Sequence, residues 1–286
     1  MKIAITGATG QLGQLVIQAL LTHVSADNIV ALVRNENKAL ELKQQNIELR
    51  HFDYDSPETL VPALTGIDKL LLISANEIGR RTAQHQAVIE AARNAKVPYI
   101  AYTSLLRANT SPLGLAQEHR ETEALIQASG LTYTFLRNNW YSENYIASAV
   151  QNAASGQLFS AAKDGKISSA SRADYAEAAA IVLASTDHDN KTYELAGSEN
   201  FTKADLAKFM EQASGKKVSH IELSASDLTQ GLQRGGLPET LISVIVDADI
   251  RTAQGAMYSE SKDLEKLIGR KPITIQSQIE TLFVVN

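Results

Sequence analysis

The opening of the chain constrains it most. Lys2-Ile3-Ala4-Ile5-Thr6 is a short apolar run, and Gly7-Ala8-Thr9-Gly10-Gln11-Leu12-Gly13 follows at once. Leu12, Leu15, Val16, Ala19 and Leu20 then recur at helical spacing. The glycines therefore join a buried parallel strand to a helix. Such a turn is where α/β proteins hold the pyrophosphate of a dinucleotide. Gly7 and Gly10, without Cβ atoms, let the backbone approach phosphate, and Gly13 lets the helix lie tightly on the strand. The N–H groups at the helix start attract the phosphates. The pattern carries weight because the strand and the helix both flank it. Gly7, Ala8, Thr9, Gly10, Gln11 and Leu12 are the candidate phosphate contacts, against the alternative of a tight turn with no ligand.

The rest of the first half alternates strand and helix. Expected strands are 28–33, 47–52, 69–74, 99–103 and 133–136. Expected helices are 36–43, a short one opened by Ser56 as N-cap with Pro57 and disturbed by Pro62, 79–95 and 115–128. This alternation predicts right-handed crossovers and a parallel, doubly wound sheet covered on both faces. After Asn138 the pattern loosens. A strand is expected at 166–169, a helix at 172–183 and a last sheet strand at 192–196. Helices then dominate, at 203–213, 225–234, 239–250, 262–268 and 275–283. The predicted organisation is a Rossmann domain over 1–138 and 170–197, with a smaller, mostly helical substrate-binding region over 139–169 and 198–286. The 286 residues suffice for one large domain or two smaller ones.

Composition excludes several classes. There are no cysteines, so disulfides, thiolate metal sites and thiol catalysis are out. The net charge is −5 with no basic stripe, which gives nucleic acid no surface. Apolar runs such as Leu70-Leu71-Leu72-Ile73 are too short to span a bilayer, and the first strand leaves no room for a signal peptide, so a cytoplasmic location is expected. His23, His51, His188 and His220 show no ligand spacing, and no metal is expected.

Ligands of such sheets lie beyond the carboxyl ends of the strands, so the residues just after each strand matter. Arg34 follows the second strand, about twenty residues past the glycines, where an Asp or Glu would hold the ribose hydroxyls of NAD. An arginine there favours the 2′-phosphate of NADP through its fork of donors, with Asn35 and Lys38 nearby, against the alternative of a solvated arginine. Asp53 either meets the adenine amine or holds a turn. Ser74, Ala75 and Asn76 follow the fourth strand at the mouth of the crevice, and Thr103 and Ser104 follow the fifth.

The crevice and the arginine suggest the short-chain dehydrogenases, whose usual members carry Tyr-x-x-x-Lys on the helix after the fifth strand, the lysine lowering the tyrosine pKa for proton transfer. Between Ser104 and Gly130 this chain has neither residue. Tyr258 and Lys262 match the spacing far past the sheet and are read as coincidence. A site with a reducing cofactor and no strong acid suits an acceptor that holds negative charge well, as a quinone does. His119, an imidazole titrating near neutrality, is the candidate proton donor, against a surface histidine bonded to Glu118, Glu123 or water. His85 is read as structural or solvated. Trp140, Tyr141 and Tyr145 either stack on nicotinamide or quinone or belong to ordinary core.

Thr6–Gly13, Arg34, Tyr102-Thr103-Ser104, Ser111-Pro112-Leu113-Gly114-Leu115, Lys266-Leu267-Ile268-Gly269 and above all Leu136-Arg137-Asn138-Asn139-Trp140-Tyr141-Ser142-Glu143-Asn144 resemble the NmrA-like branch of atypical short-chain dehydrogenases. The resemblance spans essentially the whole chain. It implies NADP(H) under the glycine turn, preferred over NAD(H), with Asn138, Asn139, Trp140, Tyr141 and Ser142 lining the nicotinamide side. It also implies hydride transfer to a quinone without flavin. Thr103, Ser104, Trp140, Tyr141 and Asn144 are the candidate substrate contacts. Plant reductases of this branch carry a lysine on the helix after the fifth strand, and here His119 is the nearest titratable residue. Two alternatives stay open: a non-catalytic NADP(H) redox sensor, and a reductase of another conjugated acceptor such as a triarylmethane dye. The expected partner is a small quinone, with no nucleic acid and no membrane insertion, and a homodimer is left open.

Overall fold

The computed structural model describes residues 1–285. Two compact units emerge from its contacts. The first comprises Met1–Asn109, Gln117–Asn138 and Arg172–Leu195, and the second comprises Thr110–Ala116, Asn139–Ser171 and the chain from Ala196 onward.

The first unit is a seven-stranded parallel sheet. Its strands are β1 (Ile3–Ile5), β2 (Ile29–Val33), β3 (Glu48–His51), β4 (Lys69–Leu72), β5 (Tyr99–Leu105), β6 (Thr132–Asn138) and β8 (Lys191–Leu195), in the order β3-β2-β1-β4-β5-β6-β8. The chain reverses its direction of travel across the sheet between β1 and β4, which opens a crevice at their carboxyl ends. β1, β2 and β5 are buried along their whole length, as strands sandwiched between helical layers must be. The edge strand β3 is polar, and Lys2 Nζ and Arg50 Nε anchor its Glu48 at 2.6 and 2.8 Å.

The covering helices follow the expected apolar spacing. On α1 (Gln11–Leu20), Leu12, Val16, Ile17 and Leu20 face inward. It packs on α8 (Arg172–Ala184), an alanine-rich helix whose small side chains allow close approach. α4 (Arg81–Asn94) and α5 (Ala116–Ala128) cover β4, β5 and β6. Val88, Ile89, Ala92, Ile126, Ile100, Tyr102 and Phe135 form a single core cluster there.

Several expectations need correction. The helix at 36–43 is a 3-10 turn at Glu36–Ala39 followed by the short α2 (Leu40–Gln44). Ser56 precedes a 3-10 turn, Pro57–Thr59, but its side chain makes no capping bond. Pro62 is tolerated inside α3 (Leu60–Leu64) because so short a helix needs few of the bonds a proline removes. β6 continues to Asn138, two residues past the expected end.

In the second unit, no strand forms over 166–169. Ile167 makes only an isolated antiparallel bridge to Phe201. Two unexpected strands, β7 (Gln157–Ser160) and β9 (Ser219–Glu222), pair in parallel. The remaining elements are α6 (Glu143–Ile146), α7 (Ala149–Ser155), α9 (Lys203–Ser214), α10 (Ala225–Arg234), α11 (Glu239–Ala253), α12 (Asp263–Ile268) and α13 (Ile275–Val285). α9 opens on a reciprocal cap between Thr202 and Asp205. Among the described residues no helix is long and apolar enough to cross a membrane.

The turn after β1 tolerates no side chain at Gly13. A Cβ built there falls 2.3 Å from the Gly7 carbonyl oxygen and 2.9 Å from Ala8 Cα. Gly13→Ala is expected to lower the unfolding free energy by about 1–3 kcal/mol through overpacking. Gly231→Ala, within exposed α10 and with open space around it, should raise it by about 0.5–1 kcal/mol. Urea denaturation followed by circular dichroism measures both.

Candidate active site

Within the first unit, the carboxyl ends of β1 and β4 are tied together. Thr6 N–H donates to Leu71 O at 3.0 Å, and Thr6 Oγ1 accepts from Ile73 N–H at 2.9 Å. Gly7 then turns with φ +59°, and Gly10 N–H closes the turn on Gly7 O at 2.9 Å. Gly10 is the N-cap of α1 and has no side chain with which to cap it. A Cβ on Gly10 would meet Gly7 O at 3.1 Å. The turn is thus bare backbone aimed off the start of a ten-residue helix, the geometry that receives phosphate. Arg34, directly past β2, is exposed and makes no hydrogen bond or ion pair with the described residues. Asn35 is engaged locally, Oδ1 accepting from Asn37 N–H, and Lys38 is exposed. Asp53 serves its own turn, accepting from Asp55 N–H at 3.1 Å.

Past β4, the segment Ser74–Asn76 is clamped. Ser74 N–H donates to Thr103 Oγ1 at 2.9 Å. The Ala75 N–H donates to His85 Nε2 at 3.0 Å, and Ala75 O accepts from Arg81 Nε at 2.7 Å. Arg81 also pairs with Glu118 at 3.1 Å, and Glu118 accepts from Gly79 N–H at 3.0 Å. An amide can only donate, so His85 Nε2 accepts and Nδ1 carries the proton. Nδ1 then donates to Thr122 Oγ1 at 2.9 Å, whose hydroxyl donates to Glu118 O at 2.8 Å. Burial, and then the Arg81 charge, push the His85 pKa down to about 3.

The expectation that His119 is a surface histidine bonded to Glu118, Glu123 or water is overturned. It is buried, and Nδ1 lies 2.7 Å from Tyr102 Oη. Burial, then Arg81 and His85, lower its pKa to about 3. Burial raises the Tyr102 phenol well above its usual range. His85 is likewise buried rather than solvated.

Ser104 does not face the crevice with a free hydroxyl. It donates to Glu123 Oε1 at 2.6 Å, and Arg137 grips both oxygens of the same carboxylate at 2.9 and 2.6 Å. Arg137 continues to Glu194 at 2.8 Å. This buried network ties α5, β6 and β8 together. Thr103 is occupied by Ser74, as above. At the end of β6, Asn138 Oδ1 is sealed from solvent and has no hydrogen-bond partner among the described residues.

Asn139–Ser142 lie in the second unit and are engaged within it. Asn139 Nδ2 donates to Ser168 O and Met257 O at 2.8 and 3.0 Å, while Oδ1 accepts from Trp140 N–H at 2.8 Å. Tyr141 bridges to Ala170, and Ser142 Oγ meets Ser169 Oγ at 2.9 Å. Trp140 is half-buried and Asn144 exposed. Tyr145 is edge-on to Phe201 under the Lys203 ammonium, which pairs with Asp249 at 3.0 Å. Tyr258 and Lys262 bond separately, to Glu260 and Glu265, and do not act as a pair.

Sequence reasoning missed Arg81, Thr122 and Tyr102. A signal existed for the first: Arg81, Gln84 and His85 continue the buried stripe of Val88, Ile89 and Ala92 on α4. Polar residues on a helix's buried face need partners.

The bare glycine turn and its lack of room for Cβ atoms fit the phosphates of a dinucleotide. The sheet order and this turn define a Rossmann-type dinucleotide-binding protein. The profile of the NAD(P)H-binding family matches residues 7–186. The chain belongs to that family, in its NmrA-like branch. It is 50% identical to quinone oxidoreductase 2 of Escherichia coli strain K12 over 284 residues, 99% of each chain. Among solved structures, it is similar to a NADPH-dependent quinone oxidoreductase of Escherichia coli complexed with NADPH, with TM-score 0.97 and 50% identity over 98% of this chain and 99% of that one. It is also similar to the Citrobacter sp. triphenylmethane reductase complexed with NADP(H), with TM-score 0.94 and 38% identity over 98% and 99%.

His85 and His119 are neutral in the folded chain, so below an imidazole pKa of about 6.5 the unfolded chain binds more protons. Their contribution to stability is complete above about pH 6.5 and is lost as pH falls toward 3, each with a slope of about 1.4 kcal/mol per pH unit. His85→Gln is expected to cost about 1–3 kcal/mol at pH 7. It should also flatten the decline between pH 6 and 4.5 by about 1.4 kcal/mol per unit. Urea midpoints measured across that range test the slope.

Proposed function

We propose that this chain is a NADPH-dependent quinone oxidoreductase that works without flavin. The observation that carries the reading is the glycine turn, whose backbone leaves no room for a Cβ at Gly13 and which no side chain caps. Identity of 50% along the full length of a quinone oxidoreductase supports the choice of acceptor. The bound cofactor supplies a hydride.

The chain's own residues bind, orient and hold. The N–H groups at the start of α1 bind the pyrophosphate, and Arg34, unengaged among the described residues, takes the 2′-phosphate. The clamp of His85, Arg81 and Thr103 fixes the Ala75 segment along which the dinucleotide passes. Asn138, whose Oδ1 is sealed from solvent at the end of β6, acts by shaping that strand end rather than through this oxygen. Asn139 and Ser142, committed inside the second unit, act by shaping their loop rather than by bonding the ligand. Proximity and orientation supply most of the acceleration, because the quinone stabilises the charge it receives.

Purified protein should oxidise NADPH with menadione or a small benzoquinone well above the uncatalysed rate. A cationic triphenylmethane dye in the same assay reads the acceptor range. Absence of turnover with every quinone, together with tight binding of NADP(H), would favour the redox-sensor reading. Arg34→Ala should weaken NADPH binding by roughly 10- to 100-fold, the loss of one charge-assisted phosphate contact, and leave NADH binding within about twofold. Calorimetry with both nucleotides decides this, and equal losses defeat the role of Arg34.

A further inference from the structure

His119 stands in the first turns of α5, the helix that leaves the carboxyl edge of the sheet after β5. Its neighbour Glu118 is bonded to Gly79 N–H and Arg81, the segment that follows β4 at the same edge. The side chain is 6% exposed. Its Nδ1 is occupied by Tyr102 Oη, whereas Nε2 has no partner among the described residues and is not sealed from solvent. A buried imidazole with one nitrogen held and the other neither bonded nor sealed is an oriented polar group without an internal use.

The neighbouring bonds set its proton. The Thr122 hydroxyl gives its one proton to Glu118 O and accepts from His85, so it has no proton left to donate to Tyr102. Tyr102 Oη makes its hydrogen bond to His119 Nδ1. A phenol is a stronger hydrogen-bond donor than a neutral imidazole, so Tyr102 donates and Nδ1 accepts. The proton of the neutral ring then sits on Nε2. Burial, the Arg81 guanidinium and the nearby His85 keep the ring neutral.

Resting on the quinone reductase reading, we propose that His119 is a catalytic residue: its Nε2–H, oriented by the Tyr102 hydroxyl, donates a hydrogen bond to the quinone oxygen on which negative charge gathers as hydride arrives. The residue stays neutral throughout and transfers no proton. The quinone gains a hydride, with its two electrons, to become the hydroquinone anion. The reduced nicotinamide is oxidised by the same two electrons. Solvent then supplies one proton to complete the hydroquinone. A neutral donor suits this chemistry, since it stabilises charge in the transition state without the cost of burying an imidazolium. Tyr102 acts through His119 and is a positioning residue.

Three variants of the full chain test this: His119→Ala, His119→Gln and Tyr102→Phe. Removing one donor to a developing oxyanion costs about 100- to 1,000-fold in kcat where the charge is localised, and the delocalised charge of a hydroquinone anion lowers that to roughly 10-fold. His119→Ala should therefore lose about 10-fold in kcat on menadione while the KM for NADPH stays within about twofold. His119→Gln, which keeps an N–H donor, should recover most of the loss. Nitrogen-15 NMR of the apoprotein, which needs no turnover, should show a non-titrating Nε2–H tautomer for His119 from pH 5.5 to 8. In Tyr102→Phe that signature should be lost, with a several-fold drop in kcat.

A His119→Ala enzyme within twofold of the parent, or an imidazole that titrates near pH 6.5, overturns the proposal while leaving the quinone reductase reading intact. A parent protein that reduces no quinone overturns both.

Discussion

Gly13 and Gly7 meet backbone to backbone, and that approach is the constraint on which the rest depends. With a Cβ at Gly13 displaced only 2.3 Å from the Gly7 carbonyl, α1 cannot lie where it does unless position 13 is glycine. The close approach sets the angle at which α1 leaves β1. That angle in turn lays Val16, Ile17 and Leu20 against the sheet and brings α1 onto α8. It also leaves the first turn of α1 open at the carboxyl edge, where a phosphate fits. Packing and ligand binding thus make the same demand on one position.

The second organising feature is a set of buried polar bonds on the other side of the crevice edge. His85 and Arg81 hold the N–H and the carbonyl of Ala75, two successive peptide units, with Thr122 and Glu118 bonded behind them. Burying this many polar atoms is tolerable only because nearly every donor and acceptor is matched. The two imidazoles remain neutral for the same reason: an extra proton on His85 Nε2 would point at an amide that is itself a donor. The exceptions are informative. Among the described residues, Gln84 Oε1 and Asn138 Oδ1 are sealed without a partner, whereas His119 Nε2 lacks one without being sealed.

The alternating half of the chain was legible because each of its signals is local. Ile3–Ile5, Ile29–Val33 and Lys69–Leu72 are short apolar runs bounded by polar breaks, and a strand buried on both faces can hardly look otherwise. The later half was harder for a physical reason. β7 and β9 each span four residues, of which only Leu158, Phe159 and Ile221 would mark a strand, and they exist because they pair with each other across about sixty residues of chain. Ile167-Ser168-Ser169 looked like a strand by composition and found only a single bridge. Arg34 was read from position alone, since the residue after a strand needs no tertiary knowledge to place. Ser104 and His119 were placed on the correct elements, but their surroundings were not readable.

What the amino-acid order settled by itself is the fold and the family: a strand, a glycine turn that only glycines can make, a helix, and the repetition of that unit. These depend on interactions between residues a few positions apart, so composition and spacing report them. What only the tertiary structure decided is which polar side chains remain available for chemistry. Ser104 belongs to Glu123 and Arg137, Thr103 to Ser74, Asn139 to Ser168 and Met257, while His119 keeps one nitrogen open. Those assignments depend on contacts between segments distant in the chain, where burial forces each polar atom to find a partner, and linear order carries no record of who that partner is.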